Sequence, residues 1–157
     1  NSDPLGARFV EMICERPEIL KQVLDFDAII EGIENSEICK FLAQVRTEMA
    51  SELLDFLALS EPFPSLRSCV TKGLLASEKS TSDEKAEIEF EREFRDLEFK
   101  LVRRGLEKKR EALRMQMMRL ERMAKTPQES KQLSECMAEY TKLVRILNET
   151  KGGLHSV

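Results

Sequence analysis

Tryptophan is absent from this chain of 157 residues, tyrosine and histidine occur once each, and there are only 6 glycines and 5 prolines. The single histidine, His155, is the third residue from the end of the sequence. That leaves almost no material for a Ser-His-Asp triad, for imidazole acid–base catalysis or for a histidine metal site. No glycine-rich phosphate loop occurs, since the only adjacent glycines are Gly152 and Gly153. Cys14, Cys39, Cys69 and Cys136 are widely spaced, with no CxxC pair to suggest a zinc ribbon or a redox motif. They read as buried thiols of a protein in the reducing cytoplasm. No apolar run approaches the roughly 18 residues of a membrane span, and the start is unlike a signal peptide. These gaps together predict a non-catalytic protein with no cofactor, no metal and no membrane contact.

What the chain does contain is leucine, glutamate, lysine, arginine and methionine, with 41% hydrophobic and 34% charged residues. Strong helix formers with few breakers predict an all-α fold. Charge is unevenly placed. Up to Ser80 there are eight basic and fourteen acidic residues, and from Thr81 onward seventeen and fifteen. Between Lys100 and Lys125 ten residues are basic and only Glu107, Glu111 and Glu121 are acidic.

The front of the chain reads as a series of short helices with dense apolar faces. Phe9, Val10, Met12 and Ile13 mark the first face, and Pro17 opens a second helix whose buried side is predicted to carry Ile19, Leu20, Val23 and Leu24. A short apolar turn follows at Ile29, Ile30 and Ile33. Asn35 or Ser36 caps the helix through Ile38, Phe41, Leu42 and Val45. Leu53, Leu54, Phe56 and Leu57 precede Pro62 and Pro64, and Leu66, Val70, Leu74 and Leu75 make one more helix. About 80 residues of this kind suffice for a single core.

The pattern changes at "SEKSTSDEKAE", where Ser80 with Asp83 and Thr81 with Glu84 form overlapping capping boxes. A helix from near Ser82 to about Lys125 would span on the order of 60 Å. Phe90, Phe94, Leu97 and Leu101 line one stripe, and Leu106, Leu113, Met117 and Leu120 line another. The five-residue step between them breaks the phase around Gly105, which predicts a bend or a change of packing partner. Thr126-Pro127-Gln128-Glu129 joins an N-cap threonine, a helix-start proline and a capping-box glutamate. The helix it starts carries Leu133, Met137, Tyr140, Val144 and Leu147, and is expected to fray at Lys151-Gly152-Gly153. Two apolar stripes with so short a connection pack as an antiparallel hairpin. The expected architecture is thus a compact multi-helix globular subdomain with a long connecting helix over residues 4–104, and a C-terminal antiparallel helical hairpin over 105–151.

Two features of the hairpin bear on function. Arg103, Arg104, Lys108, Lys109, Arg110 and Arg114 would suit a phosphate backbone. They wrap around the helix, however, and no aromatic stacking platform accompanies them. Met115, Met117, Met118, Met123 and Met137 place five of the 7 methionines here, and unbranched thioethers suit adaptable protein contacts. Met118, Met123 and Ile146 fall off the seam and so are expected to meet a partner or the globule.

A helical globule, a long helix and a terminal hairpin, opening with "ARFVEMICERPEIL" and continuing through "LRSCVTKGLLASEKSTSDEKAEIEFEREFRDLEFKLVRRGLEKKREALRMQMMRLE", resemble the C-terminal helicase-binding domain of bacterial DNA primase. The resemblance covers nearly the whole chain and rests on organisation. It implies an adaptor, monomeric in isolation, whose hairpin binds the N-terminal domain of the hexameric replicative helicase. Such an adaptor recruits primase to the replication fork and modulates the helicase, with no direct nucleic-acid contact of its own. It also implies that zinc-binding and polymerising domains precede this segment in a longer primase. Helical spacing then places the docking surface at Met118, Arg122 and Met123 on the first arm and Arg145, Ile146 and Glu149 on the second. Three other readings stand beside it. They are the helicase N-terminal domain itself, against which "VEMICERP" replaces a small-residue first helix, a helical nucleic-acid-binding module, and a coiled-coil dimer, which the phase slip disfavours.

Overall fold

The computed structural model describes residues 2–50, 54–80, 83–123 and 126–150. Leu53, Thr81 of the expected Thr81–Glu84 capping box, the helix start expected near Ser82, the fraying at 151–153 and His155 lie outside them. All regular structure among the described residues is helical, in seven α-helices: α1 (Pro4–Glu15), α2 (Phe26–Gly32), α3 (Ser36–Glu48), α4 (Phe56–Ser60), α5 (Arg67–Lys79), α6 (Glu84–Met123) and α7 (Pro127–Thr150). Short 3-10 segments cover Pro17–Gln22 and Pro64–Leu66. No helix among them is long and apolar enough to cross a membrane.

Side-chain caps start most of these helices. Asp25 accepts from Ala28 N, Asp55 from Ala58 N, and Asn35 from both Glu37 N (2.9 Å) and Ile38 N (3.1 Å). Each satisfies amides that the first helical turn leaves without partners. The buried Asp3 does more: it caps α1 through Gly6 N (3.2 Å) and also accepts from Glu34 N (2.8 Å) and Asn35 N (3.1 Å). One carboxylate thereby ties the start of α1 to the α2–α3 connection. At α6 the cap is Asp83, whose side chain accepts from Lys85 N at 3.2 Å.

The chain divides into two compact units, residues 1–102 and 103–157. In the first, α1 packs along α5, with α3, α4 and the 3-10 segments around them. Phe9, Met12, Phe41, Phe94 and Leu101 are among the side chains shut off from solvent. The Phe9 ring stacks on Phe94 at 5.4 Å and meets Phe26 edge-on at 6.5 Å. Burying each such ring is worth about 1.5–3 kcal/mol. Glycine permits two close approaches here. A Cβ on Gly32 would sit 1.7 Å from the Leu101 carbonyl oxygen of α6, and one on Gly73 would lie 2.4 Å from Glu11 O of α1. Charged groups then fasten α6 to its neighbours. Arg8 donates to both oxygens of Glu93 (2.7 and 3.0 Å), Arg95 donates to Gln22 O, and the buried Glu98 accepts from Leu24 N.

Two expectations about this unit need correction. Pro17 does open a helix, but it is a 3-10 segment that stops at Gln22, so the apolar spacing does not carry on to Leu24. Ile19 and Leu20 are buried, whereas Leu24 is 90% exposed, on the stretch leading to the Asp25 cap. Leu57 and Leu75, read as core positions, are about half exposed on their helices.

In the second unit α7 runs antiparallel to the last part of α6. Arg103 Nη1 donates to Leu147 O at 2.9 Å, and Cys136 Sγ approaches Leu113 O at 3.7 Å. Ten residues forward on α6 thus match eleven backward on α7. The turn is held by its cap: Thr126 Oγ1 accepts from Glu129 N (3.1 Å), and its hydroxyl donates to the Glu129 carboxylate (2.9 Å). Leu106, Leu113, Met117 and Leu120 are half-buried on the α6 side of the seam. On α7 the seam is Leu133, Cys136, Tyr140, Leu143 and Leu147, and Met137 is 46% exposed. Met137 therefore leaves the seam, because the small Cys136 is the residue that the Leu113 backbone can approach. Gly105 is buried inside a helix that continues through it, and the boundary between units falls just before, at Val102 and Arg103.

Candidate functional site

Several carboxylates of the first unit are occupied in structural roles, and its Cys14 thiol is buried. The buried Glu98 accepts from Arg95 Nη1 (2.7 Å) and from Leu24 N (3.4 Å). Burial, with Cys69 and Glu11 nearby, pushes the Cys14 thiol up to about 12, and burial also raises Cys69 and Cys136. A thiol held protonated is a poor nucleophile and a poor metal ligand. No group of three or more His, Cys, Asp or Glu side chains among the described residues is placed to hold a metal ion.

Two cations of the basic stretch of α6 are engaged within the second unit. Arg103 holds Leu147 O and pairs with Glu107 at 3.1 Å. Arg114 grips both oxygens of Glu111 (2.6 and 3.1 Å), which lowers the Glu111 carboxyl and raises the guanidinium. Such pairing removes charge that a phosphate backbone would need.

A different feature stands out on the same helix, nearer the turn. An open groove of about 690 Å³ is lined by Ala112, Met115, Gln116, Met118, Arg119, Arg122 and Met123. At 100° per residue the centre of this face lies about 140° around α6 from the seam positions Leu113, Met117 and Leu120, with Met115 and Arg122 nearly opposite the seam and Gln116 and Met123 nearer to it. Met115 is 56% exposed, Met118 39% and Met123 60%. The Arg114 guanidinium touches two of the sulfurs, Met118 Sδ at 3.3 Å and Met115 Sδ at 3.8 Å, which helps fix that edge. Arg119 and Arg122 are exposed and make no ion pair or hydrogen bond among the described residues.

The six residues expected from spacing therefore split. Met118, Arg122 and Met123 come together in the groove. Arg145, Ile146 and Glu149 flank Leu147, which pairs with Arg103, fifteen residues and about 22 Å back along α6 from Met118. Arg145 and Glu149 are exposed there, but Ile146 is half-buried and not an open contact. Spacing also missed Met115 and Arg119. Met115 falls two seven-residue steps after Leu101, but the exposed Lys108 between them breaks the apolar pattern, and no periodic signal marks Arg119. A search against family models, curated proteins and solved structures finds no match to this chain.

Proposed function

We propose that this chain is a protein-interaction module whose hairpin docks on a larger assembly. The reading we favour is the one its organisation suggests: an adaptor binding the N-terminal domain of a replicative helicase, so bringing a primase to the fork. The observation that carries an interaction role is the methionine–arginine groove. A two-helix hairpin needs one apolar stripe for its own seam, and a second one on the far side of α6 serves nothing inside the hairpin. Methionine suits such a surface because its unbranched, polarizable side chain repacks against different contours. The engagement of Arg103 and Arg114 within the hairpin favours a protein partner over nucleic acid.

The test is co-elution of the full chain with a hexameric replicative helicase. The expected result is a complex that survives moderate salt and is lost when Met118 and Met123 are both changed to Glu. Failure of the unaltered chain to bind helicases of several bacterial lineages would overturn the helicase reading. A steep loss of affinity for single-stranded or duplex DNA between low and moderate salt would favour the nucleic-acid alternative.

A further inference from the structure

We infer that the element received by the Met115–Met123 groove is an acidic amphipathic helix of another protein. This deepens the docking role proposed above and rests on that reading only for the claim that the partner is a separate protein. The shape argues first. The groove lies along a single helix, and three of its four apolar members, Ala112, Met115 and Met118, recur at three-residue steps. Side-chain rows at such spacing receive a second helix by ridges entering grooves, with apolar anchors at i, i+3 or i+4, and i+7.

Charge selects the sign of that helix. Several cations of α6 are committed within the chain: Arg103 to Glu107, Arg114 to Glu111, and Lys100 to Asp96. The two that line the groove, Arg119 and Arg122, have no such partner among the described residues. A planar guanidinium is built for bidentate contact with carboxylates. Two of them beside three thioethers form an apolar floor with a cationic rim. The complementary element has leucine-type anchors on one face and glutamate or aspartate at its edges. A basic helix would place like charges against Arg119 and Arg122, and a neutral one would leave both guanidiniums covered and unpaired.

The experiment uses the full chain and an 18-residue helical peptide with Leu at i, i+3, i+7 and i+10 and Glu at the flanking positions. Control peptides carry Lys or Gln in place of Glu, and affinities are read by fluorescence anisotropy. The Glu peptide is expected to bind about tenfold or more tightly than either control. Met118→Glu and Arg122→Glu are each expected to weaken it about tenfold. Met137→Glu, on the exposed face of α7, is expected to leave it unchanged. Circular dichroism checks that each variant keeps its helix content, and Met118→Ala serves as a milder second variant. Equal binding of the three peptides, or full binding by both Met118→Glu and Arg122→Glu, would overturn the proposal. So would a concentration-dependent dimer abolished by Met118→Glu, since the groove would then belong to a second copy of this chain. The two readings fail separately. A helicase complex indifferent to Met118→Glu sinks the groove assignment alone. Specific capture of the Glu peptide by a chain that ignores helicases sinks the helicase assignment alone.

Discussion

Cys14 shows how a single buried atom sets a measurable pH limit. Its thiol sits in the core beside Gly73, whose missing side chain lets α5 approach. Burial is the main cause of its rise from an ordinary 9 to about 12. For a group whose folded pKa is raised, the stabilising difference is complete below the unfolded value and is lost as pH rises toward the folded one. Stability contributed at Cys14 is therefore intact through neutral pH and falls between about pH 9 and 12. In the native protein at pH 8, Cys14 is expected to resist Ellman's reagent while the half-buried Cys39 and Cys69 react first. Denaturant melts between pH 8 and 11 are expected to show the midpoint dropping. Rapid labelling of Cys14 in the fully folded state would show that the α1–α5 contact opens more readily than this packing allows.

The hairpin is where element-level chemistry is clearest, and also where sequence reasoning divides into what it could and could not reach. "TPQE" was legible because a cap is a local device: threonine, proline and glutamate act on amides within one turn. The same holds for Asn35 and for the buried positions Ile38, Phe41, Leu42 and Val45 of α3. The face of α7 was not legible. Leu133, Tyr140 and Leu147 belong equally to a stripe completed by Met137 and Val144 and to one completed by Cys136 and Leu143. Spacing cannot choose between them, because the choice is made by the backbone of α6 at Leu113, twenty-three residues away. Leu24 failed for a related reason, since apolar period says nothing of where a 3-10 segment stops. The candidate site was half legible for the same cause: spacing within one arm found Met118, Arg122 and Met123. Their distance from Arg145, Ile146 and Glu149 follows from antiparallel pairing about the short turn, which spacing within one arm does not take into account. Because the cap is local, its loss should be local too. Thr126→Ala is expected to cost about 1 kcal/mol, seen as faster amide exchange in the first turn of α7 with exchange in α1 and α3 unchanged. Equal acceleration across α1 would mean that the hairpin and the first unit unfold as one.

At the scale of the whole molecule the two units have unequal means of support. The first owns a contiguous core that runs from Phe9 in α1 to Leu101 in α6, with Phe41, Phe94 and Met12 fully enclosed. The second has a seam of two helices in which Leu106, Leu113, Met117 and Leu120 are only half-buried. Two helices sharing a partly wet seam gain little beyond the entropy lost in ordering them, and pieces of about 50 residues or fewer are marginal on that ground. A chain shortened to residues 1–102 is therefore expected to keep its helical spectrum and a cooperative thermal transition. Residues 103–157 in isolation are expected to melt without cooperativity. A marginal element is also the one a ligand can strengthen most visibly, because anything bound only to the folded form adds its binding free energy to stability. Saturating the groove with the acidic helical peptide, at about 100 times its Kd, is expected to add about 2.7 kcal/mol to the opening free energy of the hairpin amides. Amide exchange resolved by segment would read that gain in α7 and the last turns of α6, with α1, α3 and α5 unmoved. Protection gained in the first unit instead would place the peptide elsewhere and remove the groove from consideration as a docking site.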